Sequence, residues 1–125
     1  MAKPDLSERW RGNDPPLLIL TSLVSGSKHG HALLLDIESF AGVRLGPGTL
    51  YGAIRRLEQR GLIEALGADD RRRPYRITAA GSVFLADALT ELGRIVNEGI
   101  ARLSEGGRAT AVPATHKLGR AAPAT

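Results

Sequence analysis

The chain has 125 residues and no cysteine, so a single domain can bury its core without a disulfide, and thiolate chemistry and cysteine-bound zinc are excluded. The composition, 42% hydrophobic and 24% charged, is typical of a soluble globular protein, and the lack of a leader or a membrane-spanning apolar run leads us to expect a cytoplasmic one. Aromatic residues make up only 4% of the chain, too few for a platform that stacks single-stranded nucleic acid.

The positive charge is concentrated in one segment of the chain. The net charge is +4, and residues 44–76 contain eight arginines against four acidic residues, whereas basic and acidic residues balance elsewhere. A local excess of arginine is typical of a surface that binds phosphate groups. A solvated face whose counter-charges lie elsewhere in the fold would give the same pattern, so charge alone leaves both interpretations open.

Two amphipathic helices are predicted first. One begins with Asp14 as its N-cap and Pro15 at the first helical position, where a missing N–H costs nothing, and Gly26 is expected to end it in a left-handed conformation. Its apolar face comprises Leu17, Leu18, Leu20, Leu23 and Val24. The other spans about residues 29–41 before Gly42, and its apolar face comprises Leu33, Leu34, Ile37 and Phe40.

A third helix and a hairpin follow. The helix begins within residues 46–49 and stops at Gly61, and its inward stripe comprises Leu50, Ile54 and Leu57. The opposite side is expected to hold Thr49, Gly52, Ala53, Arg56 and Gln59, flanked by Gly48, Tyr51 and Arg55. Two strand-like runs, residues 62–66 and 74–77, surround a Gly/Asp turn and predict a β-hairpin whose tip carries Arg71, Arg72 and Arg73.

The last predicted helix runs from residue 79 to about residue 103, with Thr78 as its cap. An apolar stripe repeats along it at alternating spacings of four and three, with a gap at Gly99, and comprises Leu85, Leu89, Leu92, Val96 and Leu103. Such a stripe predicts pairing with a second chain, and burial against the helix's own core is the alternative. Trp10 either folds over this interface from the partner's N-terminal segment or packs on its own chain. Residues 104–125, rich in Gly, Ala, Thr and Pro, are predicted to be a disordered tail.

No arrangement of residues in the sequence predicts catalysis, a metal site or a cofactor. Nucleophile-elbow, phosphate-loop and zinc-protease motifs are absent. His29 and His31 are two positions apart and would point away from each other on a helix, so they cannot share a metal. Asp69 and Asp70 are better explained as turn residues with local ion pairs. We therefore expect a protein that is not an enzyme.

Three helices followed by a basic hairpin are the order of elements of a winged helix-turn-helix, within a mainly α fold. The third helix suits the major groove, because the small residues at its leading end allow a close approach, with Arg55 and Arg56 following as readers of phosphate or guanine. The wing arginines would lie along the DNA backbone or in the minor groove. Tyr51 has two candidate roles, either on the recognition face or packed under the helix with only its hydroxyl reaching a phosphate.

Residues 17 to about 103 resemble the PadR family of bacterial transcriptional regulators. The resemblance rests on Gly46-Pro47-Gly48-Thr49-Leu50-Tyr51 and Pro74-Tyr75-Arg76-Ile77-Thr78-Ala79-Ala80-Gly81, together with Leu17-Leu18-Ile19-Leu20, His29-Gly30-His31, Arg56-Leu57-Glu58 and Gly61-Leu62-Ile63. It implies a homodimer joined by the C-terminal helices, operator binding that usually represses, and relief by a small effector. The single helix after the wing resembles the short form of the family. Some multidrug-sensing members place an aromatic midway along that helix, where this chain has none.

The sequence therefore predicts an N-terminal arm (residues 1–14), a winged helix-turn-helix DNA-binding domain (15–78), a C-terminal dimerisation helix (79–103) and the tail (104–125). The expected function is that of a homodimeric repressor on a palindromic operator in double-stranded DNA, with a small-molecule effector and no membrane partner. The alternative is a winged-helix module that binds protein and uses its arginines only for solubility. Salt distinguishes the two, since phosphate contacts make affinity fall steeply as salt rises.

Overall fold

The computed structural model describes residues 14–67 and 73–106. Its elements are the helices α1 (Pro15–Val24), α2 (Gly30–Ala41) and α3 (Pro47–Gln59), the strands β1 (Ile63–Ala65) and β2 (Tyr75–Ile77), and the helix α4 (Ala79–Gly106). This is the predicted order, three helices, a hairpin and a long last helix, so the mainly α fold class is confirmed. The predicted positions Trp10, Arg71 and Arg72 lie outside the described residues.

Helix α1 forms the centre of the core. Its residues Leu17, Leu18, Ile19 and Leu20 are all buried, so the helix is covered on most of its circumference rather than along one face. It packs against α2, α3 and β2. At its start Asp14 is the N-cap, as predicted, and its carbonyl accepts a hydrogen bond of 3.0 Å from the Leu18 N–H.

The end of α1 differs from the prediction. The cap is Ser25, in a right-handed conformation, and Gly26 follows with φ of 148°, far from the left-handed helical value of about 57°. Val24, predicted to belong to the apolar face, is 59% exposed because the helix ends with it, beyond the last buried residue Leu23.

Helix α2 covers the core with Leu33 and Ile37, both fully buried, and Gly42 follows it as predicted, in a left-handed conformation with φ of 69°. Phe40, predicted to point inward, is 47% exposed. Leu34, Ala41, Val43 and Leu45 are partly buried and pack against the core. The core therefore takes its remaining contacts in this part of the chain from residues other than Phe40.

The hairpin is antiparallel and short, pairing Ile63 with Ile77, Glu64 with Arg76 and Ala65 with Tyr75. Its second strand has another backbone partner that the sequence did not predict. The Lys28 N–H donates to the Tyr75 carbonyl at 3.1 Å, and the Tyr75 N–H donates to the Lys28 carbonyl at 2.9 Å. The base of the wing is therefore fastened to the segment that leads into α2.

A small polar network joins the end of α1 to α2. The Ser22 hydroxyl, on the only polar side chain buried in the described part of the chain, donates to the Asp36 carboxylate at 2.5 Å. The Lys28 Nζ donates to the Ser22 carbonyl at 2.5 Å and to the Ser25 hydroxyl at 2.9 Å. Because the end of a helix leaves carbonyls without helical partners, the lysine satisfies one of them while its own backbone holds the wing.

Helix α4 begins against the residues that lead into β1. Thr78 caps it as predicted, since its Oγ1 accepts from the Gly81 N–H at 3.0 Å, and the same hydroxyl donates to the Gly61 carbonyl at 2.7 Å. A Cβ on Gly81 would lie 2.1 Å from the Leu62 carbonyl oxygen. The helix and the residue before β1 therefore approach more closely than any side chain at position 81 would allow.

The described residues divide into two compact units, one up to Leu92 and one from Gly93 onward, and α4 contributes to both. In the first unit Leu85 is 4% exposed and Ala88 is buried, so Leu85, predicted as an interface residue, belongs to the core of its own chain. Leu89 in this unit is exposed, whereas Leu92 is partly buried against the core.

The second unit is the helical segment Gly93–Gly106. Its four large apolar side chains are exposed, and they are Ile95, Val96, Ile100 and Leu103. The segment also holds an ion pair between Arg102 and Glu98, one turn apart, at 2.7 Å. Residues 104–106, predicted to be disordered, are helical.

Substitution of Gly81 tests the close approach of α4 to the backbone of Leu62. Gly81→Ala should lower the free energy of unfolding by about 1–3 kcal/mol, because the new methyl group overlaps a backbone oxygen that cannot move freely. Gly93→Ala is the matched control, since nothing lies within 4 Å of its added Cβ, and it should be neutral or stabilising. Urea unfolding followed by circular dichroism measures both, and equal effects of the two substitutions would contradict the prediction.

Candidate nucleic-acid interface

The inward side of α3 is wider than predicted. Leu50, Ile54 and Leu57 are buried as expected, and Ala53, assigned to the opposite side, is also fully buried. Ala53 lies three residues after Leu50 and four before Leu57, so it falls within the same stripe on a helix with 3.6 residues per turn. The predicted assignment of Ala53 to the opposite side of the helix is therefore wrong.

The other side of α3 is open to solvent. Gly48, Thr49, Tyr51, Arg55 and Arg56 are exposed, and Gly52 is half-buried. No atom lies within 4 Å of the position that a Cβ on Gly48 would take, so the first turn has a flat surface. The Arg56 guanidinium lies along the helix, with Nη1 3.8 Å from the position of a Cβ on Gly52.

Ion pairs divide the arginines of this region into two groups. Arg44 pairs with Glu38 at 3.1 Å, and Arg76 pairs with Glu64 across the two strands of the hairpin. Within residues 14–67 and 73–106, no ion pair involves Arg55, Arg56 or Arg60. The uncompensated positive charge therefore lies on α3 and its C-cap. Arg60, at that C-cap, was not among the predicted site residues. Its position one turn after Arg56 could have indicated that it belongs to the same surface.

Tyr51 lies on the flank of α3 that faces the start of α2. Its side chain is 43% exposed, and the end of its ring rests against Gly30, where a Cβ would be 2.0 Å from the tyrosine Oη. Tyr51 precedes Arg55 by one turn of α3, so the two side chains lie on adjacent parts of the same helix surface, and neither predicted role includes the contact with Gly30. The sequence marks Gly30 only as the middle of the His29-Gly30-His31 motif, and its contact with Tyr51 was not predicted.

The base of the wing meets α3 around Tyr75. Burial is the main cause that raises the pKa of Tyr75 above its ordinary value, and the negative charge of Glu58 raises it further. The positive charges of Arg73 and Arg55 act in the opposite direction and lower this pKa. Arg73 is half-buried and already has an interaction partner, so it differs from the freely exposed tip residue that the sequence predicted.

The described residues contain no group of three histidine or acidic side chains that could hold a metal ion. None of their helices is both long enough and apolar enough to cross a membrane. What the geometry does provide is an exposed helix with small residues at its start and arginines toward its end, beside a hairpin.

Comparison with known proteins identifies the family. Residues 19–87 match the sequence model of the family described as "Transcriptional regulator PadR-like family", a match that includes α3 and the whole hairpin. The chain belongs to this family. The resemblance inferred from the sequence motifs is therefore confirmed. Regulation of transcription through DNA, rather than catalysis, is the role of PadR-like proteins.

Two curated relatives match at the level of sequence. An uncharacterised 37.1 kDa protein in transposon TN4556 of Streptomyces fradiae is 41% identical over 85 residues, which are 68% of this chain and 25% of that protein. The chain thus spans about a quarter of the length of that relative. Transcriptional regulator Rv3488 of Mycobacterium tuberculosis is 41% identical over 86 residues, which cover 64% of this chain and 79% of the relative.

Solved structures of PadR-like and related regulators share the fold. A transcriptional regulator from Clostridium thermocellum aligns with a TM-score of 0.59 and 27% identity, covering 69% of this chain and 92% of the other. A PadR family regulator from Clostridium difficile aligns with a TM-score of 0.61 and 22% identity, covering 70% and 95%. At 22% identity, the alignment with the Clostridium difficile regulator shows a shared fold alone.

Proposed function

We propose that the protein is a sequence-specific repressor that binds a palindromic operator as a homodimer, acts in the cytoplasm and is released from DNA by a small effector. The observation that carries the proposal is the exposed face of α3, on which Arg55 and Arg56 stand without an ion pair among the described residues. Membership of the PadR-like family supports transcriptional regulation as the role.

The proposed recognition surface comprises Gly48, Thr49, Tyr51, Gly52, Arg55 and Arg56. The major groove admits one α-helix, and the open surface at Gly48 lets the first turn of α3 come close to the base edges. A guanidinium can form two hydrogen bonds with the O6 and N7 atoms of guanine, and it can equally contact a phosphate. Arg56 is the better candidate for reading a base, because Gly52 beside it leaves its guanidinium free to extend along the groove.

The wing is proposed to contact the DNA backbone or the minor groove through Arg71, Arg72 and Arg73. The second strand of the hairpin is held on both sides, by β1 and by the backbone hydrogen bonds between Tyr75 and Lys28. A wing fastened in this way keeps a fixed distance from the start of α2, which is the arrangement that simultaneous contacts with two parts of a duplex require.

The homodimer is proposed to form through α4 and to include Leu89, Val96 and Leu103. In the second unit, Val96, Ile100 and Leu103 recur at spacings of four and three and are exposed, although such side chains are usually covered. A second copy of the helix supplies the cover. In the dimer the two α3 helices would lie about 34–36 Å apart and contact half-sites one helical turn apart. Trp10 stays part of this proposal as a residue of the partner's arm.

Salt dependence and sequence selection test the proposal as a whole. In fluorescence anisotropy, log affinity for a duplex should fall linearly with log salt, with a slope of about −0.9 for each phosphate contacted. Selection from a pool of random duplexes should enrich two inverted half-sites with centres about 10 base pairs apart. A flat salt dependence together with no enriched sequence would favour the module that binds protein.

Arg56→Ala tests the reading of bases by α3. If Arg56 contacts a guanine, the substitution should cost about 1–3 kcal/mol of binding free energy and relax the preference at one base pair per half-site. Arg102→Ala is the control, because it removes the same charge from the second unit, where Arg102 pairs with Glu98. Repeating the sequence selection with both variants measures the effect, and an equal loss on all sequences would assign Arg56 to a phosphate.

Replacement of Arg71, Arg72 and Arg73 by alanine tests the wing. Binding to any duplex should weaken, and the salt slope should become shallower by about 0.9 for each phosphate that the wing no longer neutralises, because fewer counterions are released. The enriched operator sequence should stay the same. A salt slope identical to that of the wild type would show that the wing does not touch the backbone.

A charge on the apolar face of α4 tests the dimer. Val96→Asp should convert a dimer of twice the 13.3 kDa chain mass into monomers, because an unpaired charge in an apolar interface costs several kcal/mol. Asn97→Asp is the matched control, since it adds the same charge at the neighbouring position outside the apolar repeat and should leave the dimer intact. Light scattering measures the masses, and a wild-type mass near 13.3 kDa at micromolar concentration without DNA would refute the dimer.

A further inference from the structure

Gly30, the first residue of α2, is buried against Tyr51. A Cβ at position 30 would lie 2.0 Å from the tyrosine Oη, 2.6 Å from Cζ and 3.1 Å from Cε1. The end of the tyrosine ring thus occupies the space that any other side chain at position 30 would need.

The backbone does not require glycine at this position. The φ angle of Gly30 is not in the positive range, and alanine is a better helix former than glycine. The physical reason for glycine at position 30 is therefore the space that it leaves for the Tyr51 ring.

The contact also determines where the Tyr51 hydroxyl lies. Tyr51 and Arg55 are one turn apart on α3, and both act electrostatically on Tyr75 at the base of the wing. The hydroxyl therefore lies where α2, α3 and the wing meet. It has no hydrogen-bond partner among the described residues, and 43% of the side chain is exposed.

We propose that Gly30 is a positioning residue for Tyr51, and that the ring seated against it holds the tyrosine hydroxyl in place to donate a hydrogen bond to a DNA phosphate. This inference rests on the proposed DNA-binding function. A rigid phenol suits the task, because its hydroxyl is fixed once the ring is fixed, whereas a long basic side chain loses more rotamer freedom on binding. Tyr51 then sets the register of α3 on the backbone while the arginines read the groove.

Two measurements test the proposal together. With 3-fluorotyrosine in place of tyrosine, the two tyrosines of the chain give two ¹⁹F resonances, and Tyr75→Phe assigns them. Gly30→Ala should shift the resonance of Tyr51 without DNA present, and it should weaken binding to the selected operator about tenfold, the loss expected for one hydrogen bond to a charged group. Tyr51→Phe, which removes only the hydroxyl, should weaken binding by a similar factor.

A double-mutant cycle separates positioning from a direct role of Gly30. In a Tyr51→Ala background there is no ring to displace, so Gly30→Ala should leave the affinity unchanged. The double variant also keeps the test possible if Gly30→Ala alone folds poorly. Gly93→Ala controls for the change in helix propensity and should leave the Tyr51 resonance unshifted.

Equal losses from Gly30→Ala in both backgrounds, or an unshifted Tyr51 resonance, would overturn the positioning role. If the wild type binds DNA and Tyr51→Phe binds equally well, the phosphate contact is wrong while the proposed function stands. If the wild type shows no binding to duplex DNA, the proposed function itself is refuted, and the phosphate contact with it.

Discussion

Two backbone hydrogen bonds between Lys28 and Tyr75 determine the arrangement on which the candidate interface depends. A hairpin of three residue pairs is too small to be stable alone, so its position depends on what holds its second strand. Lys28 also donates through its side chain to the end of α1, and Gly30 begins α2 two residues later. A segment of three residues therefore joins the central helix, the wing and the contact with Tyr51. The start of α2, the flank of α3 and the base of the wing meet there for this reason.

Periodicity and helix-stop residues predicted the type and order of every described element, because burial of apolar stripes is what selects those elements. They failed where position along the chain does not determine burial. Phe40 has the spacing of a core residue but is 47% exposed, whereas Val43 and Leu45 beyond the helix pack against the core. Ala53 was assigned to the open side of α3, although it lies three residues after Leu50 and four before Leu57 and is buried with them. The pairing of Lys28 with Tyr75 uses backbone atoms only, so no side-chain pattern could have predicted it.

The charge pattern of the sequence located the candidate surface but could not separate the arginines by role. Glu64 and Arg76 are twelve residues apart in sequence and face each other across the hairpin only once the register is known. Exposed ion pairs of this kind contribute little to stability, so their importance is electrostatic. They neutralise Arg44 and Arg76, whereas Arg55, Arg56 and Arg60 have no ion pair among the described residues. A phosphate surface therefore comprises fewer arginines than the segment contains.

The apolar stripe of α4 shows why one spacing can serve two purposes. Leu85, Ala88 and Leu92 cover the core of the first unit, whereas Val96, Ile100 and Leu103 continue the same kind of spacing and are not covered. In the sequence the repeat is continuous, and nothing in it marks where the chain's own core ends. Gly93 and Gly99 each cost about 1 kcal/mol of helix stability relative to alanine, and a helical segment of this length is marginal in water. Burial of the apolar face against a second copy offsets that cost, so helical order in this segment and assembly of the proposed dimer would be one coupled equilibrium.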